Sequence, residues 1–367
     1  MRFLAPLRSI RMAVVFAASS ILALTAAGFT QPAKAQTLSS TSQPAANAIL
    51  AEAETALQAG EADRALGLLV SPPAGVQEHA EAENLACRVR MTLEQWDAAV
   101  SACEQAVQLE GQNSNYHLWL GRALGRKAAQ ASFLTAYGLA KRARAEFEEA
   151  VRLNPLNVEA LSDVGNFYQQ APGVVGGGID KAEAIAERLD KIDAARGHQL
   201  RALIAEQQRD YLAVEQQYRQ AIASATHPAE QWINLAVYFE RRKQYAEMEA
   251  AIRNAMGAAQ KDKHAAVAFY DGAGILLETR RDQNLAVQLL EQYLSSTNHT
   301  EEAPVFIAHL RLARLKERVG DTGSASRERA AAMAMAHDFK PADDATIGRA
   351  LDPMEIARRM GSEELHA

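Results

Sequence analysis

The sequence predicts an all-α chain, built as a tandem array of helical hairpins. Two observations lead there. One spacing of small and apolar residues recurs along most of the chain, at an interval of about 34 residues. The composition agrees: 48% of residues are hydrophobic but only 6% are aromatic, and alanine fills the difference. Alanine is the best helix former and lets helices approach closely, so this composition argues against an all-β fold.

The chain opens on a targeting signal. Arg2, Arg8 and Arg11 form a basic start, and Met12 to Phe29 is uncharged and apolar. Ala33-Lys34-Ala35 then places small residues where a signal peptidase cuts, so cleavage is expected after Ala35. A retained anchor is the competing reading, but the run sits at the short end of a bilayer span. No later segment is apolar enough to cross a membrane. Residues 1–35 are therefore read as a cleavable signal peptide, and residues 36–45 as a disordered linker. The mature protein is expected in the periplasm or outside the cell.

Residues 46–338 carry the repeat. In each copy a small residue sits in a first helix. About twelve residues later comes an alanine, then an apolar or aromatic residue, then another small residue. Ala82 to Gly111 shows this with Cys87, Ala99, Cys103 and Ala106. Ser114 to Pro155 shows it with Leu120, Gly121, Ala143, Phe147 and Ala150. Further copies run over Val158 to Ala194, Arg196 to Thr226 and Ala229 to Met256. Weaker ones cover Ala46 to Pro72, Ala265 to Leu294 and Pro304 to Met335. Insertions stretch the third unit near 125–140 and the fourth near 171–178. The repeat fades at Asp338. Lys340-Pro341 breaks the helix, and 339–367 is read as a capping helix from Asp352 to Gly361 with a loose tail.

These residues resemble the tetratricopeptide repeat (TPR). The resemblance implies about eight helix–turn–helix units stacked as a right-handed superhelical solenoid, with an inner groove lined by the first helices. The 115–225 stretch resembles a subgroup of exported bacterial TPR proteins. It does so through Arg122 to Arg126, Leu139-Ala140-Lys141-Arg142, the Gly-rich turn and Ala194-Ala195-Arg196-Gly197-His198. A fainter similarity is to the periplasmic T component that accompanies some TRAP-type transporters.

Function is read mainly by exclusion. Removing the leader leaves 35 Lys+Arg against 45 Asp+Glu, a net charge of −10, which disfavours nucleic acid as a partner. His-Glu-x-x-His, Gly-x-Ser-x-Gly and kinase signatures are all lacking, so no catalytic residue, metal ligand or cofactor is assigned. First-helix positions facing the groove make Arg88, Arg122, Arg126, Asn166 and Gln169 candidates for holding a peptide. Arg88, Arg122 and Asn166 suit a carboxylate clamp, although its lysines are missing. Arg122, Arg126, Lys127, Lys141, Arg142 and Arg144 form a local basic cluster, read as a solvated face or an acidic-partner patch. Gly176, Gly177, Gly178 and Lys181 are candidate loop contacts, against the simpler reading of an expanded turn. Cys87 and Cys103 fall on opposite helices of one unit, which leaves both a disulfide and two buried thiols open. The expected function is a non-enzymatic scaffold for a protein or peptide partner. The alternative is a ligand-carrying transporter accessory resembling the T component.

Overall fold

The structure is a computed structural model that describes residues 42–70, 76–337 and 339. The leader, linker residues 36–41 and the helix read at Asp352 to Gly361 lie outside the described residues. Sixteen α-helices and no strand occur among the described residues. They form eight antiparallel pairs, one per expected unit. These are α1 (Ser42–Gln58) with α2 (Ala62–Leu69), α3 (Val76–Thr92) with α4 (Trp96–Leu109), and α5 (Ser114–Gln130) with α6 (Phe133–Leu153). Next come α7 (Val158–Gln170) with α8 (Ile179–Leu189), α9 (Ala194–Gln207) with α10 (Tyr211–Ser224), and α11 (Pro228–Arg241) with α12 (Tyr245–Ala259). The last are α13 (Val267–Thr279) with α14 (Gln283–Ser295), and α15 (Val305–Arg318) with α16 (Thr322–Met335). The first helix starts at Ser42, inside the stretch read as linker. Pro44 falls in its opening turn, where a missing N–H costs nothing, and alanines follow.

Local chemistry sets the helix boundaries. Asn113, Asn157, Asp193, Asp210, Asp282 and Asp321 each cap a helix by accepting a backbone N–H of its first turn. Six hairpins also turn through left-handed residues: Gly60, Glu94, Arg209, Lys243, Arg280 with Asp282, or Gly320. The third and fourth hairpins replace that turn. Long α5 and α6 meet at Ala131–Ser132, and a 3₁₀ turn at Gly173–Val175 links α7 to α8.

Small residues let the paired helices touch. Ala99, Ala143, Ala182 and Ala236 are fully buried. A Cβ on Gly121 would lie 2.6 Å from the Phe147 ring, so α5 and α6 need glycine there. Cys87 and Cys103 form a disulfide between α3 and α4, with Cα atoms 5.3 Å apart.

The array does not stay open. The first and last hairpins meet, and one apolar cluster joins Leu57, Leu85 and Val89 to Phe306 and Ala332. Phe306 packs edge-on against Phe339, with centroids 5.0 Å apart. The left-handed turn at Gly60 lies against Val305, leaving no room for a side chain. Hydrogen bonds fasten the same seam. His337 N donates to Asp63 at 2.7 Å, and Glu301 N donates to Gln58 at 3.2 Å. Arg88 reaches across to Glu301 with two bonds of 2.9 Å. The open groove expected from the repeats is thus closed end to end, because the terminal hairpins carry apolar faces that cover each other.

Candidate functional site

Closure shapes a partly open cavity of about 470 Å³ on the inner side of the first helices. Four arginines and six carboxylates line it, together with Trp119, Phe147, Phe167 and Val267. Its walls come from α3, α5, α6, α7, α8, α9, α11, α13 and the segment before α15.

The arginines are already engaged. Arg88 grips Glu301 side-on and also reaches Glu54 at 3.3 Å. Burial works against the charge on Arg88, but Glu301 and Glu54 together more than offset it and the pKa is raised. Arg122 donates to Asp163 at 2.6 Å, and its other nitrogens lie 3.8 Å from Glu159 and 3.9 Å from Glu302. Its pKa is likewise raised: desolvation opposes the charge, and Asp163, Glu302 and Glu159 together outweigh it. Arg196 makes a two-pronged contact with Glu230, at 2.5 and 3.0 Å. Arg88 and Arg122 flank the Trp119 ring, 5.5 and 4.7 Å from its centroid.

The carboxylates outnumber them. Glu302 and Glu159 line the cavity with largely exposed side chains. Desolvation raises the Glu302 pKa, and Glu159, Glu230 and Asp163 add repulsion that Arg122 and Arg196 offset only in part. Asp271 faces the cavity from α13. Its carboxyl touches interior space but is surrounded by protein, and this desolvation pushes its pKa up to about 7. Among the described residues none donates a hydrogen bond to it; the nearby cation is Arg311, buried behind it and bonded to Tyr270 O at 3.2 Å.

Arg88, Arg122, Arg126 and Asn166 all line the cavity. Gln169 does not. It is buried between hairpins, with its Nε2 bonded to Leu203 O at 3.3 Å and to Gln207 at 3.1 Å. The expectation that Gln169 faces the groove is corrected here, because its helix turns that position toward α9. The basic cluster also divides. Arg122 and Arg126 point inward, Lys127 pairs with Asp97 at 2.7 Å, and Arg142 pairs with Glu104 at 2.5 Å. Arg144 bonds Val175 O at 3.2 Å and Lys141 covers Tyr137, so no single basic patch forms.

The Gly-rich turn folds onto its own hairpin. Gly176 N bonds Gly173 O at 2.9 Å, Gly177 N bonds Pro172 O at 3.2 Å, and Gly178 N bonds Tyr168 O at 2.8 Å. Lys181 Nζ donates to Gly176 O at 2.9 Å. With these N–H groups engaged, the turn offers no ready anion cradle. Its first residues, Ala171 and Pro172, form part of the cavity wall instead.

Sequence reasoning missed Asp163, Arg196, Glu230, Asp271, Glu301 and Glu302. Two signals were available. Arg196 and Glu230 stand one repeat length apart, 34 residues. Asp271 is a lone acid in the apolar run Val267–Leu277. Glu301 and Glu302 lie between units, where repeat register says nothing.

The eight hairpins settle the architecture. The fold is an all-α solenoid of eight helical hairpins among the described residues. No protein-family model matches the sequence, and no curated protein matches it. Several solved TPR structures are similar. TTC0263, a thermophilic TPR protein of Thermus thermophilus, is 19% identical over 55% of this chain and 98% of its own, with a TM-score of 0.42. A TPR protein from Parabacteroides merdae ATCC 43184 is 14% identical over 77% of this chain and 99% of its own, with a TM-score of 0.35. YrrB, described as a TPR protein with an unusual peptide-binding site, is 10% identical over 59% and 97%, with a TM-score of 0.32. At these scores the fold assignment rests on the chain's own hairpins. No described helix is long and apolar enough to cross a membrane.

Proposed function

We propose that this protein is a non-enzymatic binding protein that receives a segment of a peptide or protein partner in its partly open inner cavity. One observation carries the reading: the inner faces of the first helices converge on a single lined cavity of about 470 Å³. That volume suits a chain end or one or two side chains, not a helix lying along an open groove. Ser162 lines the cavity from α7, and its hydroxyl bonds only its own helix, at Val158 O. Ser162→Trp should therefore fill the space and leave the fold intact. Crosslinked capture from a periplasmic extract should retain a partner on the native protein and lose it on Ser162→Trp. Equal retention by both would sink the reading.

A ligand-carrying role beside a transporter is the second reading, favoured by closure of the array. It predicts a small molecule released on denaturing the purified protein, in place of a captured polypeptide. Export to the periplasm or beyond is part of the proposal. Met12 to Phe29 and Ala33-Lys34-Ala35 support it, and the Cys87–Cys103 disulfide suits an oxidising compartment. The mass of protein from a periplasmic fraction should correspond to a chain starting at Gln36; a full-length mass in the cytosol would contradict it.

A further inference from the structure

The charge pairing inside the cavity is uneven, and the imbalance has a direction. Three of the cavity arginines are held by close carboxylates: Arg88 by Glu301, Arg122 by Asp163 and Arg196 by Glu230. The fourth, Arg126, lies in the field of Glu94, an acid outside the cavity wall. An anionic ligand would have to displace one of these partners, leaving a carboxylate uncompensated in a desolvated place. The reverse holds for a cation. Glu302 and Glu159 remain after the pairing, and so does Asp271, which has the buried Arg311 behind it but takes no hydrogen bond from it. Glu302 and Glu159 have only long contacts to Arg122, which Asp163 already occupies. Asp271 accepts no hydrogen bond from any described residue and faces the cavity from an otherwise apolar stretch of α13. Among the described residues no group of three acids, histidines or cysteines is close enough to hold a metal ion. The surplus acids are spread around a space, which suits an extended organic cation with several N–H donors.

We infer that the cavity selects a ligand bearing an organic cation, an ammonium or guanidinium group, seated among Asp271, Glu302 and Glu159. The inference rests on the reading that the cavity is the binding site, and it adds the chemistry of what enters. The cation supplies the hydrogen bonds that Asp271 lacks and relieves the repulsion between Glu302 and its acidic neighbours. Two sources offer that group: a lysine or arginine side chain of a peptide, or a free polyamine.

Asp271 also gives the site a pH signature. The groups facing it are Arg311 from α15, Glu302 from the segment before α15, Glu230 from α11, Tyr293 from α14 and Tyr270 on its own helix. Its carboxyl titrates at about 7 because burial disfavours the charge. A bound cation favours the charged form, so binding releases a proton near neutrality. Affinity for a cation should rise from pH 6 to pH 8, roughly tenfold for one proton fully coupled over that interval.

The test uses the mature full chain and calorimetric titration at pH 6, 7 and 8. The probes are spermidine, a Lys/Arg-bearing hexapeptide, the same peptide with its amines acetylated and its arginines replaced by citrulline, and an acidic hexapeptide. The expected result is binding of a cationic probe alone, tightening with pH and abolished by Ser162→Trp. Binding of spermidine but not of the basic peptide identifies a free polyamine as the source; the reverse identifies a peptide side chain. Asp271→Asn should weaken the cationic probe about tenfold and flatten the pH dependence. Glu302→Gln, a second variant on a different segment, should also weaken it. Matching thermal melts establish that both variants are folded. Equal binding of the neutral or acidic probe, lost in Ser162→Trp, would overturn the cation and leave the cavity reading standing. Cation binding that survives Ser162→Trp would place it on the outer acidic surface and overturn the inference. No binding by any probe overturns it as well, while the capture experiment judges the cavity reading separately.

Discussion

Seams between neighbouring hairpins and the seam that closes the array are built differently. Within the array, α5 meets α6 and α7 through an apolar core of Gly121, Phe147, Ala143 and Ala160, with the Arg122–Asp163 pair at its edge, and all these partners lie close in sequence. The closing seam joins Arg88 to Glu301 across 213 residues. It mixes a buried ion pair with Phe306, Phe339 and the Gly60–Val305 contact. The difference teaches how the two are specified. A neighbour seam is fixed by the repeat itself, since each unit lacks a buried face until the next one stacks. Closure needs particular residues at the two ends, and it depends on the accumulated curvature of everything between.

The comparison can be broken first at the closing seam. Arg88→Ala leaves Glu301 buried without its partner, which should cost about 3–5 kcal/mol. It should also open the array, seen as a larger radius of gyration in small-angle scattering. Restoring polarity without charge in Arg88→Ala/Glu301→Gln should recover part of the stability. Unchanged scattering and stability in the single variant would show that the apolar contacts close the array alone. Next comes the disulfide that staples α3, the helix carrying Arg88. Its two cysteines are 16 residues apart, so Cys87→Ala/Cys103→Ala should lose about 3 kcal/mol in denaturant titration. A neighbour seam should be more forgiving. Gly121→Val pushes a side chain into Phe147 and should cost about 1–3 kcal/mol while the array stays closed. The smallest change is in a turn. Lys243 holds a left-handed conformation at φ 58°, and Lys243→Gly should gain up to about 1 kcal/mol. A loss there would mean the lysine makes a contact the turn depends on.

The same contrast explains what was legible in the sequence. The hairpins were, because Ala99, Cys103, Ala143 and Phe147 recur at a fixed spacing that helix packing demands. The inward placement of Arg88, Arg122, Arg126 and Asn166 followed from the same register. Gln169 was misplaced because one helical position decides between the cavity and the neighbouring hairpin. The partners of those arginines were not legible beyond Arg196 and Glu230. Glu301 and Glu302 sit in a connecting segment with no periodicity, and only closure brings them to the cavity. Nor did the sequence resolve Cys87 and Cys103, since a shift of one helical turn separates a bond from two thiols.

A stack of repeats is ordinarily a one-dimensional object with two loose ends, and it melts from the outside inward. Here α2 and α16 lie against each other, and His337 is tied to Asp63. Neither terminal hairpin has a free outer face from which to peel. To leave, the first must uncover the last as well. The chain behaves less like a stack than like a belt that is already buckled. Amide exchange should then be about as slow in α1 and α15 as in the middle of the array, with no gradient toward either end.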